Sequence, residues 1–223
     1  MAALLRRYGV GARWYDVLSG ERWVYRAGRE AGIRLLDPRP GDTVIDLGCG
    51  TGLNFAGLVA AVGPTGRVIG VDRSSDMLAV ARRRIGAAAA GWHDIVTLVE
   101  ADAATLDPAT LRAAAGGRGA DAVFSTYALS VIPARDEAWR RACAAVRPGG
   151  RAGIVDMQRP RGRWRVLEPL ALLACATGGA DIDAHPWRLL ERDAADSRGI
   201  ARAERKGGHL VAVAAELSPA VTR

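Results

Sequence analysis

The sequence predicts an α/β fold: a mostly parallel sheet with helices on both faces. Three observations point to it. From residue 43 onward, apolar runs of strand length alternate with helical stretches. The first of these runs leads directly into a glycine-rich turn, "VIDLGCGTGLN" at 44–54. The chain then closes with two strand-like runs, "IARAERKGGHLVAVAAE", about the Gly207-Gly208 turn, which reads as an antiparallel hairpin added to the parallel sheet. With 223 residues the chain is long enough to bury one sizeable core.

Taken in order, residues 1–36 form a basic, aromatic helical segment ahead of the first strand, and residues 37–223 form the main domain. Arg6, Arg7, Arg13, Arg22, Arg26, Arg29 and Arg34 accompany Tyr8, Trp14, Tyr15, Trp23 and Tyr25 there. Strands are expected at Thr43 to Leu47, Arg67 to Val71, Val96 to Glu100, Ala120 to Ser125 and Arg151 to Asp156, each rich in valine, isoleucine or leucine. "GPTG" at 63–66 is turn chemistry leading into the second strand. The clearest helices are Asp76 to Ile85 and Arg135 to Val146, the second stopped by "RPGG". At 163–179, "RWRVLEPLALLACATGG" joins a basic, Trp-containing start to a short apolar run, of a length that suits a core or interfacial helix and not a membrane span.

Composition narrows the class of function. The chain is 49% hydrophobic and 25% charged, a globular balance. Cys49, Cys143 and Cys175 are scattered, with neither a CxxC nor a nearby His pair, so neither a disulfide framework nor a metal site is expected. The first residues lack the apolar core of a secretory signal, and no window is apolar enough to span a bilayer, so a cytoplasmic protein is expected. Net charge is +7 and Lys206 is the single lysine. Arginine grips phosphate through planar paired hydrogen bonds, which suggests nucleic acid, an anionic membrane surface or a phosphate-bearing small molecule as partner. An arginine bias of this kind also arises from gene composition alone.

A strand, a glycine turn and a helix together present backbone N–H groups to a ligand at close range. The glycines here are Gly48, Gly50 and Gly52, spaced G-x-G-x-G with Asp46 just before them, which departs from the dinucleotide fingerprint G-x-G-x-x-G. No Gly-Lys-Ser/Thr follows, so a P-loop is excluded. Asp72, at the end of the second strand, is placed to accept ribose hydroxyls, and Asp102 in "EADAATL" can meet an adenine amino group. "FSTYALSVIP" runs from the fourth strand into the sheet's carboxyl edge, where open α/β sheets bind ligands.

Together, "VIDLGCGTG", "VDRS", "EADAATL", "DAVFSTYALSVIP" and "VRPGGRAGIVD" resemble the class I S-adenosylmethionine-dependent methyltransferases in order and spacing, over roughly residues 40–156. The resemblance implies a Rossmann-like seven-stranded sheet with an antiparallel last strand, and S-adenosylmethionine as cofactor, leaving as S-adenosylhomocysteine. It implies Asp46, Gly48, Cys49, Gly50, Thr51 and Gly52 around the methionine portion. Asp72, with Arg73 and Met77, falls at the ribose side, Asp102 and Ala103 at the adenine, and Ser125 and Tyr127 beside the sulfonium. Tyr15 is implied as a lid residue on the cofactor.

The acceptor is less legible. No Asn-Pro-Pro-Tyr follows the fourth strand, which argues against methylation of nucleic-acid bases, as does the lack of a recognisable nucleic-acid-binding module. "ARWYD", "YALSVIP", "TGGADIDAHPW" and "KGGHLVAVAAE" are similar to bacterial phospholipid N-methyltransferases, which methylate phosphatidylethanolamine, and to quinone-biosynthesis C-methyltransferases. The leading expectation is therefore N-methylation of a phosphatidylethanolamine headgroup at a membrane surface; the alternative is C- or O-methylation of a quinone, phenol or other small molecule. Tyr127, Tyr15 and His185 are the catalytic candidates, the tyrosines by cation-π contact with methylated cations and the histidine as proton acceptor. His209 is a second possible acceptor of a proton. Tyr8, Tyr25, Ser130, Arg159 and Arg163 are candidates for the acceptor side, the arginines as a grip on lipid phosphate. A basic, aromatic N-terminal helix also suits peripheral contact with an anionic bilayer, or simply a cover over the cofactor.

Overall fold

The computed structural model describes residues 25–88 and 91–221. Its elements run α1 (Arg26–Leu36), β1 (Thr43–Leu47), α2 (Phe55–Val62), β2 (Arg67–Asp72), α3 (Ser75–Ala87), α4 (Trp92–Ile95), β3 (Val96–Glu100), α5 (Pro108–Ala114), β4 (Ala120–Thr126), α6 (Arg135–Ala144) and β5 (Val146–Met157). A 3₁₀ turn (Gly162–Leu167), α7 (Glu168–Gly178), α8 (Trp187–Asp193), a second 3₁₀ turn (Ser197–Gly199), β6 (Ala201–Arg205) and β7 (Leu210–Glu216) complete the described chain. The strands form one seven-stranded sheet in the order β3-β2-β1-β4-β5-β7-β6. Neighbours from β3 to β5 are parallel, and β7 runs antiparallel to both β5 and β6. The strand order reverses between β1 and β4, so the loops leaving those two strands diverge and open a crevice at the sheet's carboxyl edge.

Burial explains the pattern. Every residue of β1 is buried, as in a central parallel strand covered on both faces. One apolar layer gathers Trp139, Leu111, Leu129, Ile154, Leu190 and Val213; the other gathers Phe55, Leu58, Leu36, Phe124 and Val155. Helix α1 belongs to the second layer and packs on the sheet through Gly28, Ala31, Gly32 and Leu36. Its glycines permit the approach: a Cβ on Gly32 would lie 2.2 Å from Val155 Cγ2.

One expectation is corrected and a second is narrowed. The helix begun at Arg135 ends at Ala144, and Val146 already belongs to β5. Val146 pairs with Ala120, the next pair is Arg151 with Ala122, and "RPGG" is the excursion between them. Of the two alternatives open for the apolar run at 163–179, core or interfacial helix, burial removes the core one: the run splits into the first 3₁₀ turn and α7, and of its side chains only Cys175 is buried. Among the described residues no helix is long and apolar enough to cross a membrane.

Candidate active site

The glycine loop leaves β1 at the reversal point. Gly48, Gly50 and Gly52 all have positive φ (70°, 53° and 77°), which L side chains rarely adopt. Around Gly48 the loop is tight, since a Cβ would stand 2.3 Å from the Ala128 Cβ; beside Gly50 there is open space. The Gly50 N–H donates to Asp72 Oδ2 at 2.9 Å, and the Ser74 N–H donates to Asp72 Oδ1 at 2.9 Å. Asp72 thus ties the ends of β1 and β2 together while keeping lone pairs for a further donor. Burial pushes its carboxyl up, opposed by the N–H groups of Ser74 and Gly50. Cys49 is buried and its thiol is pushed well up by desolvation, so it serves as a small apolar wall and not as a nucleophile.

Asp46 combines full burial, an unpartnered oxygen and a raised pKa. Its side chain is fully buried at the end of β1. Asn54 Nδ2 donates to Oδ1 at 2.8 Å, whereas Oδ2 is buried without a hydrogen-bond partner. Burial raises this carboxyl to about 7, against the hydrogen bond from Asn54 and the charge of Arg29. A buried carboxylate oxygen lacking a partner is costly unless a ligand supplies a donor. An ammonium group entering beside Gly50 would supply one.

The wall opposite is built by β4. Asn54 Nδ2 also donates to Thr126 Oγ1 at 3.0 Å, and Arg29 of α1 donates to the same oxygen at 3.1 Å. Tyr127 follows with a left-handed φ of 55°, a costly backbone for a bulky residue and one often found at functional sites. Its hydroxyl donates to the Tyr25 carbonyl at 2.9 Å, its ring meets the Tyr25 ring edge-on at 4.9 Å, and the Arg29 guanidinium lies 5.0 Å from its centroid. Below Tyr25 lie Met157, Leu210 and the His209 ring, whose centroid is 6.4 Å from that of Tyr25. His209 Nδ1 is 2.6 Å from the Gln158 carbonyl and so carries the proton, and burial pulls the ring's pKa below its ordinary value.

The sequence expectations distribute unevenly over this geometry. Asp46, the Gly48–Gly52 loop, Asp72 and Tyr127 converge at the crevice, with Thr51 and Met77 buried nearby in the loop and at the start of α3. Asp102 and Ala103 sit on the turn after β3, where Asp102 caps the Ala104 N–H at 2.9 Å, and Arg73 is exposed beside Asp72. The Ser125 hydroxyl is committed to the Leu47 carbonyl at 3.0 Å and joins two strands. Ser130 is buried, its N–H donating to Asp156 Oδ2 at 3.2 Å. Arg159 does not offer a free phosphate grip: Asp183 takes it through two hydrogen bonds (2.8 and 2.7 Å) and Glu168 through a third at 2.8 Å. Arg163 lies over the Trp164 ring. His185 lines a separate surface cavity of about 420 Å³ with Arg159, Arg161 and Arg165, a cavity to which no glycine-loop residue contributes. Tyr8 and Tyr15 lie outside the described residues. Sequence reasoning did not single out Arg29, Asn54 or Thr126 for the site. Asn54 stands at the end of the quoted glycine run, so its position was a usable signal; Arg29 was one arginine among seven in its segment.

Comparison with known proteins agrees with this fold. Residues 44–150 match the family described as Methyltransferase domain. The chain is 29% identical over 163 residues to a demethylmenaquinone methyltransferase of Symbiobacterium thermophilum, covering 69% of this chain and 61% of that protein. It is 41% identical over 125 residues to a ribosomal RNA small subunit methyltransferase A of Anaeromyxobacter dehalogenans, covering 53% of this chain and 39% of that one. The chain therefore spans less than two thirds of the length of these curated relatives. Among solved structures, a DhpI–SAH complex superposes with a TM-score of 0.59 at 19% identity, covering 98% of this chain and 97% of that one, a likeness of fold.

Proposed function

We propose, from the premise that residues 44–150 form an S-adenosylmethionine-dependent methyltransferase domain, that this protein transfers the cofactor's methyl group to carbon or oxygen of a small quinone- or phenol-like acceptor. The observation that carries the cofactor assignment is the orphaned Asp46 Oδ2, on the strand that leads into a glycine loop with open space at Gly50. When bound, the cofactor supplies an electrophilic methyl on a sulfonium. Asp46 would hold the methionine ammonium, the loop N–H groups its polar atoms, and Asp72 the ribose hydroxyls. The acceptor reading is supported by the menaquinone relative, whose likeness extends over more of the chain than that of the RNA methyltransferase. It is also supported by the paired rings of Tyr25 and Tyr127, flat faces that suit a planar aromatic acceptor. Because the electrophile is already activated, this chain's residues act by holding the acceptor in line and excluding water. His209, with Nδ1–H fixed on Gln158 and its pKa lowered, keeps Nε2 unprotonated at neutral pH and able to receive a phenolic proton.

The phosphatidylethanolamine reading loses its main residue support, because Arg159 is held by Asp183 and Glu168. The test supplies labelled S-adenosylmethionine with a reduced naphthoquinone, with phosphatidylethanolamine vesicles, or with ribosomal RNA. Label in the quinol product is expected. Label in lipid or RNA alone would overturn the acceptor assignment, and absence of cofactor binding by calorimetry would overturn the premise.

A further inference from the structure

Among the described residues, the exposed large apolar side chains all fall in one ten-residue stretch: Trp164 (40% exposed), Val166 (79%), Leu167 (44%), Leu170 (65%) and Leu173 (61%). Elsewhere the described surface keeps such side chains covered, so their concentration here calls for a physical reason. Helix α7 is held from beneath by Cys175, Ala171 and Leu172, which pack on Met157, Leu210 and Ile182. Leu170 and Leu173, three residues apart, therefore share the outward face, and Val166 and Leu167 extend it one turn back. The stretch is anchored as well as exposed. The Arg161 N–H donates to the Gly207 carbonyl at 2.9 Å, and the Trp164 ring lies so close to Gly207 that a Cβ there would meet it at 2.2 Å.

Cations border this apolar face. Arg163 lies against Trp164, its guanidinium 5.6 Å from the ring centroid, and Lys206 stands exposed in the adjoining hairpin turn. Arg161 and Arg165 reach carboxylates only at 3.6 and 3.8 Å, with side chains 63% and 75% exposed. Arginine and lysine around exposed leucines and a tryptophan match a bilayer interface, where the apolar groups enter the acyl boundary and the cations meet lipid phosphates.

We propose that the first 3₁₀ turn, α7 and the β6–β7 turn form a docking surface for an anionic lipid bilayer. The face lies over Met157 at the carboxyl end of β5, so docking would set the Tyr25–Tyr127 side of the molecule next to the membrane. The assignment does not depend on which acceptor is methylated. A symmetric second copy fits less well, since both copies would bring the same cationic border of Arg163, Arg165 and Lys206 to one contact. Residues 1–24, with four arginines and two acidic residues, bring the same sign of charge.

The test is co-sedimentation of the full chain with vesicles of phosphatidylcholine alone or mixed with phosphatidylglycerol, beside the Leu170→Ser/Leu173→Ser and Arg163→Glu/Arg165→Glu double variants. These side chains are exposed, and unchanged melting and S-adenosylhomocysteine binding would verify the fold. The expected result is preferential binding to the mixed vesicles, weakened by about tenfold or more in the leucine variant. The arginine variant should lose the preference for anionic lipid. No binding of the unaltered chain to either vesicle would overturn the proposal. Undiminished binding by the leucine variant would also overturn it, placing the contact elsewhere, and so would a dimer in solution that the leucine variant alone dissociates while vesicle binding persists.

Discussion

The role proposed for Asp46 rests on an unmet hydrogen-bonding demand. Its carboxyl is raised to about 7 by burial, so near neutrality the cofactor-free site is partly protonated. A cationic amino group requires the ionised form. Affinity for S-adenosylhomocysteine should therefore rise with pH up to about 7 and level off above it, weakening by up to about tenfold per unit below. Calorimetry across that range checks this, and Asp46→Asn should bind weakly with a flat profile; a pH-independent affinity in the unaltered protein would contradict the assignment. At Tyr127, removal of the hydroxyl in Tyr127→Phe deletes the bond to the Tyr25 carbonyl but leaves the ring. The expected cost is about 1 kcal/mol of stability in urea titration, with cofactor affinity nearly unchanged.

The glycine loop and α1 show what whole elements contribute. Gly48→Ala would place a methyl against Ala128, whereas Gly50→Ala meets nothing within 4 Å. Both carry the cost of positive φ, on the order of 1 kcal/mol. Gly50→Ala should therefore fold but lose cofactor affinity, because its methyl occupies the space where a ligand's atoms would lie; retained affinity would move the ligand away from Gly50. Gly32→Ala should destabilise by about 1–3 kcal/mol, since Val155 and Phe124 crowd that face of α1. Element boundaries were legible wherever local chemistry decides them. Strands Thr43–Leu47 and Val96–Glu100 match expectation to the residue, each a short apolar run bounded by turns or a helix end. Val146 was misread because its membership in β5 depends on pairing with Ala120, a partner that periodicity does not reveal. For residues 163–179 the sequence leaves core and interfacial placements open, because their composition is apolar while their burial is decided by what lies opposite.

At the scale of the molecule, the two carboxylates that are fully buried among the described residues, near the carboxyl ends of β1 and β5, set a pH dependence of stability. Asp46 and Asp156 are raised by burial from 3.8 to about 7 and about 6, with hydrogen bonds from Met157 and Ser130 partly opposing the rise at Asp156. Between the unfolded and folded values the native state holds more protons, so stability is highest on the acid side of this window and falls as pH rises through it. Cofactor-free protein should thus melt at lower temperature at pH 8 than at about pH 5, and Asp156→Asn should reduce that difference, as followed by circular dichroism. A melting temperature that rises over the same interval would count against these shifts.

The sequence by itself determined the alternation of strands and helices, the antiparallel hairpin, and the glycine loop with its flanking Asp46 and Asp72, on which the resemblance to S-adenosylmethionine-dependent methyltransferases rests. All of these are written in local spacing, in residues that lie within one strand, turn or helix. Only the tertiary structure decided that Asn54 and Arg29 meet Thr126 across 72 and 97 positions, that Asp183 occupies Arg159, and that Leu170 and Leu173 face outward. Those outcomes depend on which elements the sheet order brings together, and so on pairings between residues far apart in the chain.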